Sequence, residues 1–156
     1  MDMPKPGAEH LALDVFAGSW KGVETMSPSP WSPQTTKADG MITNRTALAG
    51  FTLVQDYFQS QNDDLTYQGH GVFTWDGQAG EYVMYWFDSM GSPVNVFRGT
   101  RNGSVWSFMA KNAQGLTRSV WEFTSNRTYR HQMEVSPDGS SWSTFMVGDY
   151  KRSSGD

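Results

Sequence analysis

Three titratable side chains fall at positions from which a predicted strand would turn them toward a protein interior: Glu24, Asp88 and His131. Carboxylates and imidazoles are the groups that transfer protons near neutral pH, and each can also anchor the polar end of a bound molecule. Burying such a group without a partner is costly, so their placement points to a site inside the fold. The site is either a binding pocket or an acid–base catalyst.

Glu24 belongs to the segment Gly18–Met26, which is predicted to be the first strand. Side chains alternate along a strand, so Trp20, Gly22 and Glu24 share one face. If the Trp20 indole points inward, the Glu24 carboxylate does so too and needs a partner. The candidate partners are Arg98, Arg118, Arg130, Tyr129 and Tyr150. The alternative is that Glu24 lies at an open mouth and is solvated.

Asp88 follows an almost unbroken aromatic and apolar run, Tyr82–Phe87. If it shares a face with Met84 and Trp86, it ends an apolar wall with a polar anchor, as in many small-molecule pockets. The alternative is a turn-forming aspartate whose side chain accepts a backbone N–H.

His131 has Tyr129 and Met133 in phase with it, which predicts an imidazole on the inner face. It could ligate haem iron, act as a general base or be a hydrogen-bonded core residue. The three histidines show no metal-binding spacing, and no phosphate loop or dinucleotide fingerprint is present, so we expect no metal and no cofactor. The predicted ligand-binding residues are Glu24, Met84, Trp86, Asp88, Arg98, Tyr129 and His131.

Alternating runs separated by Gly, Asn, Asp and Pro predict the elements that position these side chains. A short helix over Glu9–Phe16 precedes about ten strands, and Asn102-Gly103 is a strong hairpin signal. Short links allow only antiparallel, up-and-down pairing, and closure removes the exposed edges. We therefore predict a single all-β domain over residues 1–156, an antiparallel up-and-down β-barrel. The predicted strands are 18–26, 36–48, 51–61, 65–75, 81–89, 94–101, 105–111, 116–124, 128–135 and 142–152.

Composition narrows the function classes. Aromatic residues make up 14% of the 156 residues and there are 16 glycines, which favours strands and turns. The net charge is −4 and the basic residues are scattered, so we expect neither nucleic acid nor a membrane as partner. The absence of cysteine and of a signal-peptide pattern at residues 1–9 predicts a cytoplasmic protein. Strand edges and exposed aromatics are compatible with a homodimer.

Four runs distributed along nearly the whole chain carry a family resemblance: Phe16–Gly22, Ser27–Trp31, Tyr85–Gly91 and Met133–Gly139. They resemble the bacterial domain-of-unknown-function family 1579, a lipocalin-like barrel of the calycin group. That family has no agreed activity, so the resemblance implies a fold and little chemistry. It also implies that Trp20 packs at the barrel floor against a basic side chain of the last strand, Arg152 or Lys151.

Four interpretations remain open at this stage. The first is a barrel that binds a small, largely apolar molecule with a polar end. The second is an isomerase, cyclase or lyase that uses Glu24, Asp88 and His131. The third is a haem-binding barrel of nitrobindin type, although Glu24 stands where that family keeps a further glycine. The fourth is a barrel filled by its own aromatic side chains, with no pocket.

Overall fold

The chain forms a closed antiparallel barrel, as the sequence predicts. A computed structural model describes residues 2–29 and 32–153. Helix α1 (Ala8–Ala12) continues into a 3₁₀ turn, Leu13–Phe16. The strands that follow are β1 (Gly18–Met26), β2 (Thr36–Ala47), β3 (Thr52–Gln61), β4 (Asp64–Asp76), β5 (Glu81–Asp88), β6 (Asn95–Asn102), β7 (Val105–Asn112), β8 (Gly115–Phe123), β9 (Thr128–Ser136) and β10 (Ser143–Arg152).

Each strand pairs with its neighbours in sequence, and β1 pairs with β10 to close the barrel. Turn chemistry sets the links. Asn102 pairs with Val105, so the two-residue hairpin loop is Gly103-Ser104, one residue later than the Asn-Gly signal predicts, and Gly103 takes its left-handed position with a φ of 62°. In the turn after β9, the Asp138 carboxylate accepts the backbone N–H groups of Ser140 and Ser141. Trp31, which the sequence places in a proline-rich loop, lies outside the described residues.

An aromatic cluster fills the end of the barrel that α1 covers. Phe16 lies at its centre and contacts the faces or edges of four rings, those of Phe73, Trp106, Trp121 and Phe123. Such edge-to-face packing adds to the free energy gained from burying the rings. This end of the barrel is therefore a packed core.

Trp20 and Arg152 tie the 3₁₀ turn to this core. The Trp20 indole donates a 2.9 Å hydrogen bond to the Phe16 carbonyl. The Arg152 guanidinium lies 4.3 Å from the Trp20 ring and donates to the carbonyls of Val15 (3.0 Å) and Ala17. Arg152 thus takes the place that the calycin resemblance implies for a basic residue. No helix among the described residues is long and apolar enough to cross a membrane.

Candidate functional site

The half of the barrel opposite α1 contains a cavity of about 350 Å³. The aromatic cluster therefore fills only one end of the barrel, and the interpretation of a barrel without a pocket is wrong. Most of the wall is aromatic, aliphatic or thioether, and polar side chains interrupt it, among them three groups built around Glu24, Asp88 and His131. The lining includes Met26, Ile42, Met84, Trp86, Phe97, Ala110, Trp121, Met133, Phe145 and Met146, together with Glu24, Gln55, Tyr57, Gln59, Tyr67, Asp88, Ser119 and His131.

Glu24 forms the first polar group, and its side chain has no solvent exposure. The Tyr57 hydroxyl lies 2.5 and 2.7 Å from the two carboxylate oxygens, and the Tyr150 hydroxyl donates to Oε2 at 2.5 Å. The Gln59 amide donates to Oε1 at 3.1 Å. The solvated alternative for Glu24 is therefore wrong. Its partners are neutral, and no cation of the described chain forms an ion pair with it.

Burial, together with the adjacent Glu24 charge, raises the pKa of Tyr57 and Tyr150 far above the usual value. Both hydroxyls therefore keep their protons at neutral pH and remain hydrogen-bond donors to the carboxylate. The cluster is a fixed negative charge held by neutral groups.

Glycines make the room that Tyr150 needs. A Cβ at Gly22 or Gly148 would lie 2.6 or 2.7 Å from the Tyr150 ring, and one at Gly40 would collide with its hydroxyl. These glycines lie on β1, β10 and β2, so the ring rests on a bare patch of backbone shared by three strands. In this position the Tyr150 hydroxyl can donate its hydrogen bond to Glu24.

The three arginines proposed as partners of Glu24 point away from the cavity. In β6, Phe97 and Gly99 face inward, which turns Arg98 to the outer surface, where its side chain is 46% exposed. There it contacts Asp76 and Glu81 at 3.3 and 3.1 Å. Arg98 was predicted to line the pocket, and the structure instead places it outside the barrel.

Arg118 and Arg130 are also on the outer face, where they pair with Glu134 and Asp149. Tyr129 points inward but lies below the cavity, in the packed core. Its ring stacks on Tyr150 with centroids 5.1 Å apart, and its buried hydroxyl has no hydrogen-bond partner.

Asp88 belongs to the second polar group, near the open end of the barrel. It shares the inner face of β5 with Met84 and Trp86. The Trp86 indole donates to the Tyr67 hydroxyl at 3.1 Å, and that hydroxyl donates to Asp88 Oδ2 at 2.8 Å. Oδ1 accepts the Met90 N–H at 3.0 Å, so Asp88 both ends the wall and shapes the turn.

The Trp86 ring lies flat along β4 because two positions there have no side chain. A Cβ at Gly69 would collide with the indole, and one at Gly71 would lie 3.1 Å from it. Gly69 and Gly71 therefore allow Trp86 to pack tightly against β4. His70, which lies between these two glycines, is on the outer surface, 2.8 Å from Asp56.

His131 and Ser119 form the third polar group. His131 Nε2 and the Ser119 hydroxyl are 2.6 Å apart, and the imidazole stacks on Trp121 with centroids separated by 4.4 Å. Burial lowers the pKa of His131 to about 3. The imidazole is therefore neutral at physiological pH.

The sequence did not point to several polar lining residues, among them Gln55, Tyr57, Tyr67 and Ser119. Gln55 is only 4% exposed, and its side-chain amide makes no hydrogen bond within the described part of the chain. The signal that could have found Gln55 and Tyr57 is the alternation Leu53, Gln55, Tyr57 in β3.

Comparisons with known proteins agree with this architecture. A family model described as protein of unknown function (DUF1579) matches residues 5–152. None of the curated proteins matches the sequence. The crystal structure of Rv2717c from M. tuberculosis is similar with a TM-score of 0.70 and 10% identity, over 94% of this chain and 98% of that one. The S-type phycobiliprotein lyase CPES from Guillardia theta is similar with a TM-score of 0.65 and 10% identity, over 97% and 100%. At this identity both show the fold alone.

Proposed function

This chain belongs to the protein family of unknown function DUF1579, and we propose that it binds a small, largely apolar molecule with a polar end inside its barrel. The observation that carries the proposal is the cavity of about 350 Å³ with its apolar wall and three fixed polar groups. Ligand pockets typically combine a concave apolar lining with a few well-placed polar groups. Packed residues hold these groups in place before any ligand arrives.

The apolar part of the ligand would contact the aromatic and thioether side chains of the wall, such as Met84, Trp86 and Trp121. Flexible thioethers adapt to the shape of a bound molecule, and flat rings provide a large contact area. The polar end would lie toward the groups around Glu24 or Asp88. This arrangement gives the ligand one orientation in the barrel.

Catalysis by Glu24, Asp88 and His131 is less well supported by the geometry. All three line one cavity, but each already makes hydrogen bonds within the wall. A general base works best with a pKa near the working pH, and burial lowers the pKa of His131 to about 3. These groups are better arranged to hold a ligand than to transfer a proton.

The residues present do not fit a haem site. His131 Nε2 is hydrogen-bonded to Ser119, and one face of the imidazole is covered by Trp121. The bare backbone around Gly22 and Gly148 is covered by the Tyr150 ring, and the next inward residue of β1 is the carboxylate Glu24. We therefore assign no role in iron ligation to this chain.

Two measurements test the proposal. Native mass spectrometry of freshly purified protein should show a co-purifying small molecule. After any co-purifying molecule has been removed, titration with a neutral apolar fluorescent dye, N-phenyl-1-naphthylamine, should show one saturable site. Ala110 lines the cavity, so Ala110→Phe should weaken dye binding about tenfold by filling the space.

Met109→Phe is the matched control, because Met109 is the neighbouring residue and is exposed on the outer face. It should leave dye affinity unchanged. Equal dye affinity in both variants and the parent protein would place the dye outside the barrel and count against the proposal.

A further inference from the structure

We infer that the polar end of the ligand is a cation, a protonated amine or a related ammonium group. This inference rests on the proposed function and adds the charge of the ligand to it. Three features of the cavity support it: the sign of the fixed charges, the aromatic surface between them, and an unpaired buried amide.

The charged groups of the cavity wall are carboxylates. Glu24 and Asp88 both line the cavity, and among the described residues no lysine or arginine does so. The remaining titratable base, His131, is neutral. A ligand that carries a carboxylate or phosphate would meet two like charges in a medium where charges interact strongly.

The Glu24 charge is not compensated by the protein. Its three partners, the hydroxyls of Tyr57 and Tyr150 and the amide of Gln59, donate hydrogen bonds but carry no positive charge. A buried carboxylate without a cation is unfavourable, and hydrogen bonds offset only part of this free energy. A cation that enters the cavity supplies the missing charge.

An aromatic surface lies between the two carboxylates. Tyr57 is 5.7 Å from Tyr67 and 6.2 Å from Trp86, measured between ring centroids. The Tyr57 hydroxyl donates to Glu24, and the Tyr67 hydroxyl donates to Asp88. Ring faces attract cations within about 6 Å, and the attraction is stronger when the pair is shielded from water. Aromatic side chains are widely used to bind ammonium groups.

Gln55 is an independent indication of a ligand. It lies one inward position from Tyr57 on β3, is 4% exposed and lines the cavity. Its side-chain amide has no hydrogen-bond partner among the described residues. Its polar atoms reach the open space of the cavity, so this group is available to a bound molecule. Its carbonyl oxygen can accept the N–H of an ammonium group.

Three probes that share one apolar body test the charge: 2-naphthylmethylamine, 2-naphthylmethanol and 2-naphthoate. Isothermal titration at pH 7 and low salt should give a dissociation constant about tenfold lower for the amine than for the alcohol, and the weakest binding for the carboxylate. Glu24→Gln should remove most of the preference for the amine over the alcohol.

Glu122→Gln is the matched control, because Glu122 is exposed on the outer face of β8. It makes the same change in net charge and should keep the full preference. If Glu24→Gln does not fold, as judged by circular dichroism, Asp88→Asn at the open end provides the test. It should reduce the preference at least about threefold.

The outcomes separate the two proposals. Equal or tighter binding of the alcohol, or tightest binding of the carboxylate, would overturn the inference of a cationic ligand and leave the apolar pocket in place. Failure of all three probes and of the dye to bind would overturn the proposed function itself.

Discussion

The Tyr150 hydroxyl donates a 2.5 Å hydrogen bond to Glu24 Oε2, and this contact joins the first and last strands of the barrel. Tyr150 pairs with Gly22, and Glu24 pairs with Gly148, so two glycines leave the space that the aromatic ring occupies. One hydrogen bond therefore connects the strand pair that closes the barrel with the Glu24 carboxylate that gives the cavity its charge. A change to either should affect both stability and binding.

Tyr150→Phe should lower the free energy of unfolding by about 1–3 kcal/mol, because it removes a donor from a buried carboxylate and leaves that acceptor position unpaired. Urea unfolding followed by tryptophan fluorescence measures the change. Tyr85→Phe is the control, since Tyr85 is exposed on the outer surface. A Tyr150→Phe protein as stable as this control would show that Glu24 does not depend on the contact.

Alkaline pH should unfold the protein. Burial raises the pKa of Tyr57 and Tyr150 above the value of 10.0 that they have when unfolded. Above pH 10 the unfolded chain loses these protons and the folded chain keeps them, so stability falls as pH rises, by up to about 1.4 kcal/mol per pH unit for each tyrosine.

Phenolate absorbance and unfolding, recorded on the same samples, should change together for the buried tyrosines. A Tyr57→Phe variant should show a shallower loss of stability above pH 10. Ionisation of all six tyrosines in a protein that stays folded would contradict the assignment.

Acid should destabilise the fold through His131. Its pKa is lowered from 6.5 to about 3 in the folded state, so below pH 6.5 the unfolded chain takes up a proton that the folded chain does not. The stabilising effect of the neutral imidazole is complete above pH 6.5 and is lost as pH falls toward 3, by up to about 1.4 kcal/mol per pH unit. Denaturant unfolding at pH 7, 6 and 5 should show a smaller slope for His131→Gln. Parallel slopes would mean that the imidazole titrates normally.

Gln55 and Asn44 form a natural comparison, because they are paired across β2 and β3 and both are buried. Asn44 Nδ2 donates a 2.8 Å hydrogen bond to the Phe16 carbonyl, although its buried Oδ1 has no partner, whereas the Gln55 amide makes no hydrogen bond at all in the described chain. Asn44→Leu should therefore lower the free energy of unfolding by about 1–3 kcal/mol. Gln55→Met should leave it unchanged or raise it, since an amide is exchanged for an apolar chain of similar shape.

The same Gln55→Met variant should bind 2-naphthylmethylamine more weakly. Stability that is gained as affinity is lost is the expected result for a residue retained for binding. A large loss of stability would instead indicate a structural role for the amide.

Gly69→Ala should displace the Trp86 ring into the cavity, because an added methyl group would occupy the position of the indole. We expect a stability loss of about 1–3 kcal/mol and weaker dye binding. Gly71→Ala is the matched control, since its Cβ would lie 3.1 Å from the ring and requires only a small shift. Equal effects of the two substitutions would show that the Trp86 position is not set by Gly69.

Alternation and turn residues were sufficient to predict the strands, because both are local properties of the chain. The inward register of Trp20 correctly placed Glu24, and the apolar neighbours of His131 correctly placed its imidazole inside. The partners of Glu24 depended on contacts between distant segments. Tyr57 reaches it only through the register of three strands, which a single sequence does not reveal.

Arg98 is a residue that the sequence placed on the wrong face of its strand. A mid-strand arginine is an obvious partner for a buried acid, but its phase within β6 is determined by Phe97 and Gly99 on either side of it. The positions of Gly22, Gly40 and Gly148 were visible in the sequence. That all three glycines make room for the Tyr150 ring was not visible, because only the closed barrel brings β1, β2 and β10 together around this ring.

The pairing of β1 with β10 also has a consequence for biosynthesis. Of the ten strands, the one that closes the ring leaves the ribosome last, so β1 waits for its second neighbour through the synthesis of all the others. During that time the nascent protein has an unsatisfied sheet edge, to which a chaperone or another polypeptide can bind. Long-range closure of this kind makes folding slow. Arg152, at the end of the final strand, can bind the 3₁₀ turn only after translation has passed it.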